Sequence, residues 1–366
     1  MDLSRREFSK LAALGIASQA MPASLAQTAG RKVGYCVIGL GRIADHFMRG
    51  TRDSSTSQVT GLVSGHRDKA LRLAKEYGVP ESSIYSYEQM DAMRDNKTID
   101  AVYVALPNSM HAEYTIRSAK AGKHVLCEKP MSTSVADAEA MIAACKAANV
   151  KLMIAYRLHY EPTTLRSIKL IRDGAIGTVQ SISAANGFNI AQGEWRTNKP
   201  LSGGGPLMDV GIYCLNAARY LTGEEPVGFV GYNSTIDHDR RFDTVEENTL
   251  WTMKFPSGVL ANCATTYGAN MPGFYRVNGS KGWLQVDEYG YEGLHLRANY
   301  RAAKGSPPVN IDELNPERDP KQFTREVDHF TECVLQNKTP GTPGEEGLRD
   351  MRYMKAIYKA AGVDAL

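Results

Sequence analysis

From Val33 onward the apolar residues gather into short runs parted by polar, glycine-bearing stretches, and the rhythm changes once along the chain. In the first half, mostly apolar runs at Val33–Ile38, Val59–Val63, Ile99–Leu106, Val125–Cys127 and Lys151–Ala155 alternate with segments of helical period. Runs with little polar alternation suit strands buried on both faces, and their alternation with helices predicts a doubly wound parallel sheet. Ala112–Ala121 reads as a helix closed by Gly122. Ser134 and Asp137 form a capping pattern for a helix whose inner face carries Val135, Ala138, Met141, Ile142 and Cys145. Beyond Tyr156, one helix (Pro162–Arg172) is followed by strand-like segments with few helices between them: Val179–Ala185, Val227–Tyr232, Asn248–Phe255, Val259–Thr266, Phe274–Asn278 and Trp283–Asp287. With Pro256-Ser257-Gly258 as a hairpin turn, this half predicts a large open, mainly antiparallel sheet. Pro307 to Pro320 reads as a loop and Glu345–Ala361 as a terminal helix.

Length agrees with two domains, since 366 residues exceed the roughly 250–300 at which a single core stops growing. We divide the chain into residues 27–156 and 157–366. Net charge is +3, from 43 basic and 40 acidic side chains without a basic run, which excludes nucleic acid as a partner. The six cysteines form no C-x-x-C pair and read as buried thiols, and none of the eight histidines falls in a metal-ligand pattern, so no metal is expected. Residues 1–26 differ in kind. Ser4-Arg5-Arg6-Glu7-Phe8-Ser9-Lys10, a weakly apolar run from Leu11 to Ala20, and small residues up to Ala26 follow the order of an export signal. The run is too short to span a bilayer, so no stable membrane insertion is expected. The paired arginines resemble the twin-arginine signal, which implies the twin-arginine export machinery as a partner and a periplasmic mature protein.

Three stretches carry chemistry. Gly39-Leu40-Gly41-Arg42-Ile43-Ala44 follows the first strand and opens a helix, the context in which G-x-G-x-x-A binds a dinucleotide: Gly39 allows the turn, Gly41 admits the pyrophosphate, and Ala44 lets helix and strand approach. The second strand ends in Ser64, Arg67 and Lys69 where an NAD site usually places a carboxylate, and a hydroxyl with two cations suits the 2′-phosphate of NADP. His124-Val125-Leu126-Cys127-Glu128-Lys129-Pro130 leaves Glu128 and Lys129 at the end of a parallel strand, the side on which open α/β sheets bind ligands. Downstream, a glycine loop at Ser202–Pro206 precedes a helix on which Asp209 and Tyr213, four residues apart, share a face.

In this order, G-L-G-R-I-A, L-P-N-S-M-H, C-E-K-P, the Tyr156–Tyr160 segment, Trp195-Arg196 and S-G-G-G-P-L-M-D-V-G-I-Y resemble the Gfo/Idh/MocA oxidoreductases, and within them the glucose-fructose oxidoreductase branch. The resemblance implies a Rossmann domain followed by an α/β domain whose open sheet packs against another subunit in a homo-oligomer. It implies that Lys129, Tyr213 and Asp209 surround the reacting sugar carbon, with Arg157 and Tyr160 also on the sugar. It further implies that Tyr87, Leu106, Asn108, His111, Glu128, Arg157, Trp195 and Arg196 join the glycine turn around the cofactor. The long proline-rich arm of that branch has no counterpart here, because only Gln27–Arg31 separates the expected cleavage site from the first strand.

Oxidising a cyclic aldose removes a hydride from the anomeric carbon and a proton from its hydroxyl. A phenol of pKa ~10 is a poor base at neutral pH, so Lys129 beside Tyr213 is expected to favour the phenolate. An exported enzyme has no free NADP to draw on, which points to a tightly bound cofactor and a ping-pong cycle: one aldose leaves as a lactone and a second sugar leaves as an alditol. A sugar dehydrogenase with dissociable cofactor, a nicotinamide-dependent glycosidase and a non-catalytic sugar-binding protein remain as alternatives at this stage.

Overall fold

Strand β1 (Val33–Ile38) is buried along its whole length and lies in the middle of a six-stranded parallel sheet. The structure, a computed structural model, describes residues 31–363, so the export signal expected over residues 1–26 lies outside the described residues. With β2 (Ser57–Val63), β3 (Ile84–Tyr85), β4 (Ala101–Val104), β5 (His124–Glu128) and β6 (Leu152–Ala155), the order is β3-β2-β1-β4-β5-β6. Strand order reverses at β1, which opens a crevice at the carboxyl ends of β1 and β4. Helices α1 (Arg42–Asp53), α2 (Arg67–Tyr77), α3 (His111–Lys120) and α4 (Val135–Ala147) belong to this layer, and the Ser134 hydroxyl caps α4 by accepting the Asp137 N–H, as the sequence indicated.

After α5 (Pro162–Arg172), an eight-stranded sheet forms from β7 (Val179–Gly187), β8 (Gly228–Ser234), β9 (Asn248–Lys254), β10 (Leu260–Thr266), β11 (Met271–Gly279), β12 (Gly282–Asp287), β13 (His295–Tyr300) and β14 (Val309–Leu314). Its order is β14-β13-β12-β11-β7-β10-β9-β8, and only the β7–β10 pair is parallel. Alternate residues such as Trp251, Met253, Ala261, Cys263, Tyr275 and Val277 face a core shared with α6 (Ile212–Thr222). All six cysteines are free and buried. Among the described residues no helix is long and apolar enough to cross a membrane.

The sequence reading omits β3 and β13, and two further segments correct it. Pro307–Pro320 is not all loop, because Val309–Leu314 pairs with β13 as the edge strand β14. Its Val309-Asn310-Ile311-Asp312 alternation is short and only Ile311 packs against the core, and Pro307-Pro308 stand just ahead of it, where a ladder tolerates proline. Helix α7 (Lys321–Leu335) was not anticipated either. Its Phe323, Val327 and Phe330 join the core around β1 and α1, so a segment far along the chain packs into the first layer.

The helix that carries Tyr213, α6, is tied to the terminal helix α8 (Gly344–Ala360) by a buried ion cluster. Arg219 Nη1 lies 2.5 Å from Asp350 and 2.6 Å from Glu346, its Nε lies 2.7 Å from Glu225, and Asn216 donates to Asp350 at 3.0 Å. Removing one partner of a buried pair strands the other in a poorly solvating interior. Arg219→Met should therefore lower the unfolding free energy by about 3–5 kcal/mol in a urea titration, and an unchanged midpoint would show that α6 does not depend on this anchor.

Candidate active site

The turn after β1 is shaped to admit a ligand. Gly39 has φ 88°, and a Cβ there would sit 2.5 Å from the Ala105 carbonyl oxygen. Gly41 starts α1 without a side-chain cap and faces open space, with nothing within 4 Å of a Cβ at that position. The free N–H groups of the first helical turn thus point at a vacant approach, the arrangement that holds a phosphate. Leu40 and Ala44 are buried beneath the turn, while Arg42 and Ile43 face a cavity of about 660 Å³.

At the end of β2, the Ser64 hydroxyl accepts the His66 N–H at 3.0 Å, and the Tyr87 ring lies 3.3 Å from a Cβ built on Gly65. Lys69 and Arg42 share a hollow of about 360 Å³ beside α1, Arg67 is exposed 3.5 Å from Glu81, and Asp68 falls in the first turn of α2. These residues fit a nicotinamide dinucleotide, with the pyrophosphate on the α1 N-terminus and the adenosine ribose beside Ser64. Lys69 and Arg67 stand at that end, with Glu81 beside Arg67.

The larger cavity holds the charged cluster. Strand β5 delivers Glu128 and Lys129, with a cis Lys129–Pro130 peptide closing the strand. Lys129 Nζ lies 2.6 Å from the Asp209 backbone oxygen and 3.0 Å from Asp209 Oδ1. Asp209 Oδ2 accepts from the Tyr267 hydroxyl at 2.7 Å and from Arg196 Nε at 3.1 Å. Burial alone would raise the Asp209 pKa, but Lys129, Arg196 and the Tyr267 hydrogen bond override it and hold the value at about 2. Burial likewise works against the Lys129 ammonium, yet Tyr213, Asp209 and Glu128 raise its pKa, so it stays charged. Glu128, buried and pushed upward in pKa mainly by that burial, accepts the Lys129 N–H at 3.1 Å and the Tyr103 hydroxyl.

The expected Lys129–Tyr213 pair takes a different form. Lys129 Nζ sits 4.8 Å from the centre of the Tyr213 ring, and the group on the phenol oxygen is Arg157, whose Nη2 lies 3.3 Å away. Arg157 is buried and held by the carbonyls of Tyr289 (2.6 Å) and Gly290 (3.0 Å), by the Gln322 side chain, and over the Tyr291 ring at 4.6 Å. The phenol therefore has a cation at its face and another at its oxygen. Tyr213 also stacks on Tyr289, with ring centres 5.8 Å apart.

Other sequence-based assignments meet mixed outcomes. Leu106, Asn108, Trp195 and Arg196 line the cavity. Asn108 also spends its amide on the Ser202 carbonyl at 2.8 Å, and His111 has its ring nitrogens 2.8 Å and 2.9 Å from the carbonyls of Pro130 and Leu106, clamping two loops. Tyr160 is not at the cavity, because its hydroxyl is bonded to Thr342 at 3.0 Å and its ring packs on His329. The glycine loop approaches protein rather than ligand: a Cβ on Gly204 would lie 2.2 Å from the Tyr358 hydroxyl, and one on Gly205 would lie 2.3 Å from the Glu246 carbonyl oxygen. Asp209 lies in a π-type turn, Leu207–Gly211, ahead of α6, where Gly211 presses on Thr265. Such widened turns are common at functional sites. Tyr267, Tyr289, Tyr291 and Gln322 were missed. They come from strand ends and α7, and their only sequence signal is a polar tip beside an apolar run.

Comparison with known proteins agrees with this geometry. An oxidoreductase family model with an NAD-binding Rossmann fold matches residues 33–156, and a Gfo/Idh/MocA C-terminal domain model matches residues 165–285. The crystal structure of aldose-aldose oxidoreductase from Caulobacter crescentus, complexed with glycerol, is 46% identical and superposes with a TM-score of 0.85 over 91% of this chain and 98% of that one. D-xylose 1-dehydrogenase [NADP(+)] of Haloarcula marismortui is 29% identical over 91% of this chain and 92% of its own. The 1,5-anhydro-D-fructose reductase of Ensifer adhaerens is 26% identical over 89% and 95%.

The Asp209 cluster has a pH signature. A folded pKa of about 2, against an ordinary 3.8, means the carboxylate stabilises the fold above its unfolded pKa and loses that contribution as pH falls toward 2. The stability difference between the native chain and Asp209→Asn should thus shrink by about 2 kcal/mol between pH 5 and pH 2, measured by denaturant unfolding. A constant difference would show that the carboxylate is not held by its cations.

Proposed function

The chain belongs to the Gfo/Idh/MocA oxidoreductase family, and from that membership and the charged site we propose that it oxidises an aldose to its lactone and reduces a second sugar to an alditol, on one NADP that it keeps bound. The observation that carries the proposal is the Tyr213 phenol set between Lys129 and Arg157 in a cavity that opens onto the glycine turn. The reduced second sugar is an aldose or a ketose, and the 46% identity to an aldose-aldose oxidoreductase favours an aldose.

A bound nicotinamide supplies hydride acceptance and donation. The chain's residues manage the proton and the substrate. Tyr213 takes the proton of the anomeric hydroxyl, with the Arg157 guanidinium at its oxygen and the Lys129 ammonium over its ring. Lys129, fixed on Asp209, also orients the sugar hydroxyl. In the second half of the cycle Tyr213 returns the proton to the reduced carbonyl oxygen.

NADP is supported by Ser64, Arg67 and Lys69 at the β2 end and by the named cofactor of the Haloarcula relative. A chain of ion pairs runs beside the crevice. Glu194 lies 3.6 Å from Arg42 of the glycine turn and 3.2 Å from Arg196, which in turn holds Asp209 at 3.1 Å. The Arg5-Arg6 signal supports export to the periplasm by the twin-arginine route with the cofactor already in place. Val230, Tyr232, Leu250 and Leu260, all exposed on one face of β8–β10, support a homo-oligomer through the open sheet. The D-xylose dehydrogenase relative favours a second reading, in which the cofactor exchanges freely after each turnover.

Denaturing the purified protein and taking the absorbance and mass of the released nucleotide separates these readings: NADP or NADPH at one per chain supports retention, and an empty supernatant contradicts it. Tyr213→Phe should lower kcat by roughly 10²- to 10⁴-fold, and turnover within a few-fold of the native value would remove Tyr213 from the proton path.

A further inference from the structure

One residue of the cavity pays a conformational penalty where a glycine would not. Strand β12 ends at Asp287, and the next residue, Glu288, has φ 74°, a left-handed backbone that a side chain disfavours. The kink itself has a clear purpose. The Glu288 N–H donates to the Gly273 carbonyl at 2.6 Å, and the next two residues present the carbonyls that hold Arg157. Glycine would make that turn without strain, so the carboxylate needs its own explanation.

Glu288 lines the same cavity as Lys129 and Tyr213 and is exposed. Among the described residues its carboxylate forms no hydrogen bond or ion pair, whereas its neighbour Asp287 is engaged by Gln285 at 2.7 Å and by Arg297 Nε at 3.0 Å. Lys129, Arg157, Arg196 and Arg42 line the cavity beside the carboxylates of Asp209 and Glu128. Cations so arranged would draw in anionic sugars as readily as neutral ones.

We propose that Glu288 is a specificity residue for neutral sugars: its carboxylate accepts the hydroxyl hydrogens of the sugar away from the reacting carbon and repels a sugar that carries a carboxylate or phosphate there. The proposal rests on the reading of the site as a sugar oxidoreductase. A carboxylate only accepts, and a pair of neighbouring hydroxyls satisfies both of its oxygens. An anionic sugar would bring like charges together instead, and discrimination of that kind works by repulsion of the wrong partner as well as attraction of the right one.

The test compares kcat/KM of the purified holoenzyme for matched pairs, D-glucose with D-glucuronate and D-galactose with D-galacturonate. The native chain, Glu288→Gln and Glu288→Gly are each measured. Both variants should lose about ten-fold of the preference for the neutral sugar, through a higher KM for the aldose and a gain on the uronate. Glu288→Gly should in addition raise the thermal midpoint, because it relieves the left-handed backbone. An unchanged preference in both variants, with Glu288→Gly still more stable, would overturn the proposal and leave Glu288 a tolerated turn residue. A native chain that oxidises no neutral aldose would contradict the sugar reading itself, and the proposal would fall with it.

Discussion

The Asp209 carboxylate is the point on which the site depends. It collects Lys129 from strand β5, Arg196 from the segment after β7, and Tyr267 from the end of β10, each within 3.1 Å. No two of these come from neighbouring stretches of sequence. Three donors on one buried carboxylate keep it ionised against the penalty of burial, and its charge in turn keeps Lys129 an ammonium. The first layer and the eight-stranded sheet therefore meet through an electrostatic joint as well as an apolar one, and Lys129 has a defined place before any substrate arrives.

Arg157 is the second fixed cation, and its placement shows why the chain folds back on itself. Its partners are the corner after β12, through Tyr289 and Gly290, and the first turn of α7, through Gln322. An adjoining face of α7 packs Phe323, Val327 and Phe330 around β1 and α1. One helix thus braces the first layer and Arg157 together. The cavity combines aromatic walls (Tyr289, Tyr291 and Trp195) with cations at depth, which suits a sugar presenting an apolar ring face and polar hydroxyl edges.

Much of the architecture was legible because it is written in period and punctuation. The strands of the first layer are apolar runs with Gly39-x-Gly41 at the turn, and the strands that share the central core, β7 to β12, have one buried face each. Edge strand β14 alternates over only four residues, Val309 to Asp312, and its one core-facing side chain is the half-buried Ile311, a weak signal after two prolines. Helix α7 did carry a signal, Phe323, Val327 and Phe330 at helical spacing, but it follows Pro320 and lacks a capping side chain. Within the site, Lys129, Asp209 and Tyr213 stood out as ionisable residues at strand ends and beside a glycine loop. Arg157 was expected from family resemblance as a pocket residue, yet its contact with the phenol oxygen depends on Tyr289, Gly290 and Gln322, which lie 132 to 165 residues away in sequence. Tyr160 shows the converse error. It stands three residues after Arg157 in the same short motif, but the backbone turns it toward Thr342.

The proposed redox cycle closes within one site, where a phenol between two fixed cations would move one proton out and back. The most direct measurement supplies the purified protein with a single aldose, no added nucleotide and no other acceptor, and quantifies both products by NMR over many turnovers. A closed cycle predicts lactone (with its hydrolysed acid) and alditol in equal amounts, each far exceeding the enzyme. Lactone that stops at one equivalent per chain, or that accumulates only when NADP is added, would contradict it.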